Sequence, residues 1–540
     1  MSSTRKGTRS AHVDTFTREN LPPREAWPEF LFTLPELAYP ASMNCAAELL
    51  DRHVEDGAGE RRCLVTDTET WTYADLLARS NQIAHALVDE MGLVPGNRVL
   101  LRGPNNPWLV ASWFGVLKSG GVAVTTMPML RSGELETMVN IADVTMAICD
   151  HRFIQDLEAA APDGFQIFTY GGDGEDDLTR VAAKKRSKFK NVATAADDVC
   201  MLAFTSGTTG KPKATMHFHR DVLAIADTFS RQMLRPTSDD LFAASPPLAF
   251  TFGLGQSVVF PLRAGAAVHL IEQPSPQRLL EAVERHGITV LGTAPTAYRA
   301  MVPDLPSANL TSLRACVSAG ETLPRATWEA VHEACGIGII DGIGSTEMLH
   351  IFISAAGEEI RPGSTGRAVP GYVAQVQDPD GRPVPDGELG RLAVKGPTGC
   401  RYLRGDRQGT YVRDGWNITG DVYVRDGDGY FHYQARADDM IISAGYNIAG
   451  PEVEEALLRH PAVAEAAVVG APDAERGMIV KAVVVVRPGA ELGPEPARTL
   501  QDFVKSQIAP YKYPRAIEFA SELPRTATGK LQRFRLREGS

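Results

Sequence analysis

Nowhere in the 540 residues is there an apolar run approaching the roughly 18 residues that a membrane-spanning helix requires. The N-terminus is polar and mixed in charge, without the apolar stretch of a secretion signal. Basic charge is not in excess either: 55 Lys and Arg stand against 66 Asp and Glu, a formal net charge of −11. Nucleic acid or an anionic membrane as main partner would need a broad basic face, so neither is expected. The seven cysteines, Cys45, Cys63, Cys149, Cys200, Cys316, Cys335 and Cys400, form no CxxC pair and have no spacing suited to zinc. They read as reduced packing residues of a cytoplasmic protein. Short-period repeats and low-complexity segments are lacking as well. Residues 1 to about 25 read as a loosely ordered lead-in.

What remains is an ordinary globular composition, 44% hydrophobic and 22% charged, long enough for more than one core. From residue 70 to 300 helix-like and strand-like patterns alternate, as in parallel sheets covered by helices. Thr72 and Asp75 predict a capped helix with Leu76, Ile83 and Leu87 on one face. Arg98 to Arg102 reads as a strand, Asn105 to Lys118 as a largely buried helix, and Gly121 to Val124 as the next strand. A second set follows, with helices over 221–233 and 277–286 and strands over 266–271 and 289–291. Between about 360 and 435, turns such as Asp378 to Gly381 and Asp426 to Gly429 punctuate short strands, which suits a small β subdomain. After Asp438 the pattern suits a separate α+β domain of about a hundred residues, with a helix opening at Pro451, where the missing N–H costs nothing.

The stretch Thr205-Ser206-Gly207-Thr208-Thr209-Gly210-Lys211-Pro212-Lys213 follows the apolar run Val199 to Phe204. Gly207 and Gly210 can take positive φ and let backbone N–H groups converge on an anion, while four hydroxyls add donors and two lysines add charge. It is not a Walker A loop, since two residues separate the glycines and Pro212 follows Lys211. Standing alone it would also pass for a Gly/Thr-rich surface turn. Far downstream lie Gly342-Ile343-Gly344-Ser345-Thr346-Glu347, Thr419-Gly420-Asp421, Ala435-Arg436-Ala437-Asp438-Asp439 and Pro524-Arg525-Thr526-Ala527-Thr528-Gly529-Lys530. Five ordered motifs at this spacing resemble the adenylate-forming superfamily of acyl-CoA synthetases, peptide-synthetase adenylation domains and luciferases, from about Tyr39 to the C-terminus. Phe250-Thr251-Phe252-Gly253-Leu254-Gly255 and Gly344 to His350 further resemble the aryl-CoA ligase branch that activates benzoate and 2-aminobenzoate.

The resemblance implies an α/β fold: a large N-terminal ATP- and acid-binding domain of helix-covered parallel sheets with the small β subdomain, residues 1–437, then a smaller, mobile α+β domain, residues 438–540. It implies Mg²⁺ and ATP, with coenzyme A as second substrate. The loop Thr205 to Lys211 would cradle the β- and γ-phosphates, Thr346 would contact the α-phosphate, and Glu347 would hold Mg²⁺. Lys530 would be the mobile cation that meets both the substrate carboxylate and the α-phosphate. Asp421 would bind the ribose hydroxyls with Arg436, since a carboxylate accepts two hydrogen bonds from a diol. Gly320, Glu321, Asp341, Gly342 and Ile343 would line the purine; many relatives carry Tyr where Ile343 stands, and Gly where Ala435 stands. Asp438 would be the hinge, and Gly445 with Tyr446 would meet the CoA pantetheine.

By the same resemblance the acid would lie among Phe250, Thr251, Phe252, Leu254, Ala319, Gly344 and His350. Rings and small residues form a flat slot for an aryl acid, too short for a long acyl chain. If a helix began at Glu347, His350 would share its face. The histidine is then either a partner for a ring substituent or a packed core residue. The acid expected first is 2-aminobenzoate, with benzoate or salicylate next. A stand-alone adenylation enzyme serving a carrier protein, and a silent nucleotide-binding protein of the same fold, are the rival readings. The motifs distinguish neither free CoA from a carrier thiol nor a monomer from a homodimer.

Overall fold

The computed structural model describes residues 9–206, 212–405, 407–443, 446–473, 476–525 and 531–538. Two large sheets carry most of the chain. The six-stranded one runs Gln166–Tyr170, Met146–Asp150, Arg98–Arg102, Val122–Thr126, Val199–Ser206 and Pro212–Phe218 in spatial order. It is parallel up to the last pair, which is an antiparallel hairpin. The nine-stranded sheet is parallel at its centre, where Leu241–Ala244, Val290–Thr293, Ala315–Ser318 and Ile339–Gly344 lie side by side, and antiparallel at both edges.

Local chemistry explains the helices between these strands. The Thr72 hydroxyl accepts from Asp75 N–H and the Asp75 carboxylate accepts from Thr72 N–H, so Tyr73–Asp89 starts on a full capping box. Leu76, Ile83 and Leu87 are fully buried on its inner face, as their spacing predicts. Pro107–Lys118 begins with proline behind Asn106, whose side chain accepts from Leu109 N–H. Nearly all of this helix is buried, Lys118 included, whose ammonium reaches Asp51 at 2.6 Å.

The 360–435 region does form a five-stranded antiparallel sheet, Val373–Gln377, Leu389–Lys395, Val412–Arg413, Trp416–Arg425 and Phe431–Arg436. A fourth sheet is built entirely from Ile441 onward; Val463–Asp473 and Gly477–Val486 are its longest pair, each longer than the apolar runs alone predict. The antiparallel ladder carries the pairing from Val463 through to Asp473. Helices Gly450–Leu458 and Pro496–Gln507 cover it, burying Val453, Leu457, Leu500 and Val504. Among the described residues no helix is long and apolar enough to cross a membrane.

Candidate active site

The strand Val199–Ser206 and its antiparallel partner Pro212–Phe218 hold the two ends of the Gly/Thr-rich loop, with Thr205 opposite Lys213 and Ser206 opposite Pro212. Gly207, Thr208, Thr209, Gly210 and Lys211 lie outside the described residues. The returning strand puts Thr215 against Tyr402 in a bridge, and Lys213 Nζ stands 5.8 Å from the Tyr402 ring. Burial lowers the Lys213 ammonium, with the Arg407 charge acting the same way and Glu347 opposing both.

Tyr402 ties the loop arm to the carboxylate expected to hold a metal. Its hydroxyl donates to Glu347 Oε1 at 2.6 Å, which leaves Oε2 without a hydrogen bond among the described residues. A carboxylate oxygen beside the loop arm is the hard donor that Mg²⁺ prefers, and the residues present fit that ion. The Ser345 hydroxyl meets the Tyr411 hydroxyl at 3.1 Å and accepts Met348 N–H at 3.2 Å. No helix begins at Glu347. Thr346 to His350 is a tight turn in which Leu349 takes φ 70° and donates its N–H to the Thr346 carbonyl, so the shared helical face of Glu347 and His350 does not exist. The reason is local: the chain must reverse between antiparallel strands Ile339–Gly344 and Ile351–Ser354 within six residues, which a helix cannot do.

Ser318, the last residue of its strand, pairs in parallel register with Asp341 at mid-strand in Ile339–Gly344; Ala319, Gly320 and Glu321 follow directly on one strand, and Gly342 and Ile343 on the other. Burial pushes Asp341 up to about 7, the Ser318 hydroxyl and Gly342 N–H only partly opposing it. Neither Asp341 Oδ1 nor Ser318 Oγ has a hydrogen bond of good geometry. Gly320 takes φ 91°, a conformation that favours glycine. Across the site, Arg436 donates to Asp421 at 2.9 Å and to the Thr419 carbonyl at 3.0 Å from the facing strand. Burial alone would lower the Arg436 guanidinium, but Asp421 raises it by more, so the guanidinium is held above its ordinary value. Gly420, with φ 79°, lets this approach happen, since a Cβ there would sit 2.9 Å from Arg436 Nη2.

Of the residues expected to face the acid, Phe252 and Gly344 pack against His350. Its ring lies 4.5 Å from Phe260, 5.4 Å from Phe229 and 5.7 Å from Phe252, centroid to centroid. Gly255 and Gly344 allow this packing: a Cβ on Gly255 would stand 2.5 Å from the imidazole, and one on Gly344 would stand 2.7 Å from the His350 carbonyl. Phe250, Thr251 and Phe252 are half-buried at the start of the short helix Thr251–Leu254, whereas Leu254 and Ala319 are buried. His350 is 3% exposed and neither ring nitrogen has a hydrogen bond of good geometry. Burial lowers its imidazole to about 3, a Phe252 backbone contact opposing only weakly. Sequence reasoning missed Gln256, fully buried beside Gly292 with its amide oxygen and nitrogen both unpartnered. The available signal was a glutamine, with Ser257 beside it, inside the mostly apolar run Leu254 to Leu262.

Two histidines here set an acid limit. His217, beside Thr346, is also lowered to about 3 by burial and by Arg401. An unfolded chain protonates both near pH 6.5 while the folded chain does not, so stability falls as pH drops below that value. Asp341 acts oppositely, because its folded form stays protonated to about 7 and the unfolded carboxyl ionises near 3.8. Between pH 4 and 6.5 two histidines outweigh one aspartate. Urea titration is therefore expected to show a lower unfolding midpoint at pH 5 than at pH 7.

Part of the small domain reaches the same region. Arg525 donates to Glu465 at 2.5 Å and stands 3.5 Å from Glu321, and Arg299 stands 3.9 Å from Glu465. Arg525 also pairs with Leu531 in an isolated antiparallel bridge. Lys530 itself lies outside the described residues, as does Gly445. Tyr446 starts the strand Tyr446–Ile448, paired with Ile441–Ser443, and its side chain is not described. Asp438 sits in the turn Ala437–Asp439, its carbonyl accepting from Arg537 at 3.3 Å.

An arrangement of this kind belongs to enzymes that activate a carboxylic acid with a nucleotide. Residues 50–402 match the AMP-binding enzyme family and residues 452–530 match the AMP-binding enzyme C-terminal domain. The chain belongs to the AMP-binding enzyme family, in the aryl-CoA ligase branch of the adenylate-forming enzymes, and is an AMP-forming acid–thiol ligase that uses ATP, Mg²⁺ and CoA. It is 35% identical over 514 residues to a benzoate–CoA ligase of Thauera aromatica, covering 94% of this chain and 98% of that one. A 3-hydroxybenzoate–CoA ligase of an Aromatoleum strain is 31% identical over 512 residues, 92% of this chain and 97% of its own length. Among solved structures, the anthranilate CoA ligase AuaEII in complex with anthranoyl-AMP superposes with a TM-score of 0.89 at 33% identity, covering 94% of this chain and 99% of that one. A benzoate CoA ligase from Burkholderia xenovorans gives 0.84 at 33% identity over 92% of this chain and all of its own.

Proposed function

We propose that this aryl-CoA ligase takes 2-aminobenzoate in preference to benzoate, forming the aryl-adenylate and then the CoA thioester. The observation that carries the preference is His350: a neutral imidazole walled by three aromatic rings, with two unpartnered nitrogens. An apolar slot separates acids differing by one small group by only about 1–3 kcal/mol. A buried, unsatisfied polar group gives a 2-amino substituent something to pair with, and Thr251 and Gln256 are the other polar side chains in reach of this region.

In this reading each residue has one task. The Thr205 to Lys211 loop and Lys213 meet the phosphates, Thr346 touches the α-phosphate, and Glu347 supplies the metal carboxylate. Bound Mg²⁺ would offset phosphate charge during attack by the acid. Asp341 offers its unmet oxygen to the purine amine at the strand ends with Gly320, Glu321, Gly342 and Ile343, while Asp421 and Arg436 take the ribose diol. Lys530 brings positive charge to the carboxylate and α-phosphate. Asp438 serves as the hinge between 1–437 and 438–540, and Gly445 with Tyr446 meets the pantetheine once the small domain has turned.

The test is CoA thioester formation from a panel of acids. 2-Aminobenzoate is expected to lead in kcat/KM, with benzoate within about two orders of magnitude and 4-substituted benzoates and fatty acids poor. His350→Phe should lower kcat/KM for 2-aminobenzoate and leave benzoate nearly unchanged. A wild-type enzyme that handles benzoate better than 2-aminobenzoate would reverse the assignment, and 4-hydroxybenzoate or a medium-chain acid outrunning both would overturn the pocket. Asp438→Pro, which fixes φ near −65°, should depress one half-reaction far more than the other. Equal retention of both half-reaction rates would place the pivot elsewhere.

A further inference from the structure

A cavity of about 730 Å³ lies away from the phosphate loop, the purine strand ends and the acid slot. It opens between the turn 66–69, the start of helix Pro107–Lys118, the segment Asp150–Arg152 and the helix Pro276–His286. In its lining, Asp67, His269 and His286 bring one carboxylate oxygen and two imidazole nitrogens within 4.8 Å of one another. His286 Nε2 stands 3.0 Å and His269 Nε2 4.0 Å from the same Asp67 oxygen. The two rings stack at 4.1 Å with their planes 26° apart, so both aim Nε2 toward that oxygen.

Each donor is anchored differently. His269 ends the strand Ala267–His269, and His286 ends its helix at Gly287, which takes φ 70° as the left-handed cap. Asp67 sits in a turn closed by Thr66 N–H donating to the Glu69 carbonyl at 2.9 Å. His269 is 3% exposed, Nδ1 is buried without a partner, and among the described residues neither ring nitrogen makes a hydrogen bond. A fully buried imidazole without partners is costly unless something else meets it.

We propose that Asp67, His269 and His286 bind a divalent transition cation of the zinc type, with its remaining coordination positions facing the cavity. Two imidazoles and one carboxylate suit zinc, cobalt or nickel, whereas magnesium and calcium prefer oxygen alone. Bond lengths of about 2.0–2.1 Å put neighbouring tetrahedral ligand atoms about 3.3 Å apart, between the two separations observed. The Asp67 side chain, 66% exposed on its turn, can shift the remaining distance. Arg285 lies 3.7 Å from the same carboxylate but is 63% exposed and turns outward without loss of packing. Bound metal would clamp the turn, the strand end and the helix end together and stabilise the folded chain. Cys45, Cys200 and His219 also cluster within 4.8 Å, but there His219 Nδ1 already accepts Cys45 N–H at 3.2 Å.

The experiment is a Co²⁺ titration of the tag-free full chain followed by absorption, with thermal unfolding measured in parallel in Zn²⁺. Saturable uptake of about one ion per chain, no sulfur-to-cobalt charge-transfer band and a raised Tm are expected. His269→Ala, His286→Gln and Asp67→Asn should each weaken binding at least about tenfold, and Cys45→Ser should not. His286→Gln is the safest of these for folding, because its side chain is already 20% exposed at a helix end. No saturable binding, binding indifferent to His286→Gln, or a thiolate band lost in Cys45→Ser would each overturn the site.

Discussion

Lys530→Ala is expected to slow aryl-adenylate formation about a hundred- to a thousandfold or more while thioester formation from supplied aryl-adenylate survives. The negative charge on the α-phosphate grows only as the carboxylate attacks, so a cation placed there acts on that step and no other. Removing one preorganised donor of this kind costs about 3–4 kcal/mol. Nearby in sequence, Arg525, bridged to Leu531, stands 3.5 Å from Glu321 and is held by Glu465. Single-turnover assays of the two half-reactions check it. Equal loss of both, or an adenylation rate within a few fold of wild type, would remove Lys530 from the reaction.

The sequence spoke clearly where structure is local. Thr72 and Asp75 announce a capping box that the structure contains, and Asn106 before Pro107 marks the start of the next helix. The paired ends of the Gly/Thr loop, Thr205 and Lys213, are readable because Val199 to Phe204 is an apolar strand and the following residues alternate back. What the sequence hid depends on partners far away in the chain. Tyr402 and Tyr411 follow no motif, yet their hydroxyls meet Glu347 and Ser345, 55 and 66 residues earlier. His350 was assigned to a possible helix because its spacing from Glu347 permits one; the tight return to Ile351 overrides local preference. Gln256 carries no motif at all, and its unpaired amide is visible only once Gly292 closes over it. The Asp67, His269 and His286 trio is invisible for the same reason, since more than two hundred residues separate Asp67 from the first histidine.

Asp221→Ala is expected to destabilise the large domain by about 3–5 kcal/mol, the cost of leaving a buried charge without its partner. Asp221 and Arg401 form an ion pair with both side chains fully buried. The Asp221 carboxylate also accepts Phe218 N–H at 2.9 Å and so caps the helix His219–Ile225. Arg401 lies over the Phe218 ring at 3.8 Å, donates to the Met216 carbonyl at 3.2 Å and accepts Met216 N–H at 2.8 Å. The pair thus staples the returning arm of the Gly/Thr-loop hairpin to the segment whose next residue, Tyr402, holds Glu347. Burial pushes the Arg401 guanidinium down; because a guanidinium keeps its charge, loss of Asp221 strands a cation in an apolar shell. Replacing both partners with apolar residues of similar volume, Asp221→Leu with Arg401→Met, should recover most of the loss. A deficit of about 1–3 kcal/mol should remain because Phe218 N–H loses its acceptor. Denaturant midpoints of the wild type and the two variants decide the matter: a single variant within about 1 kcal/mol of wild type, or a double variant no better than the single, would mean that the staple is held by backbone pairing alone.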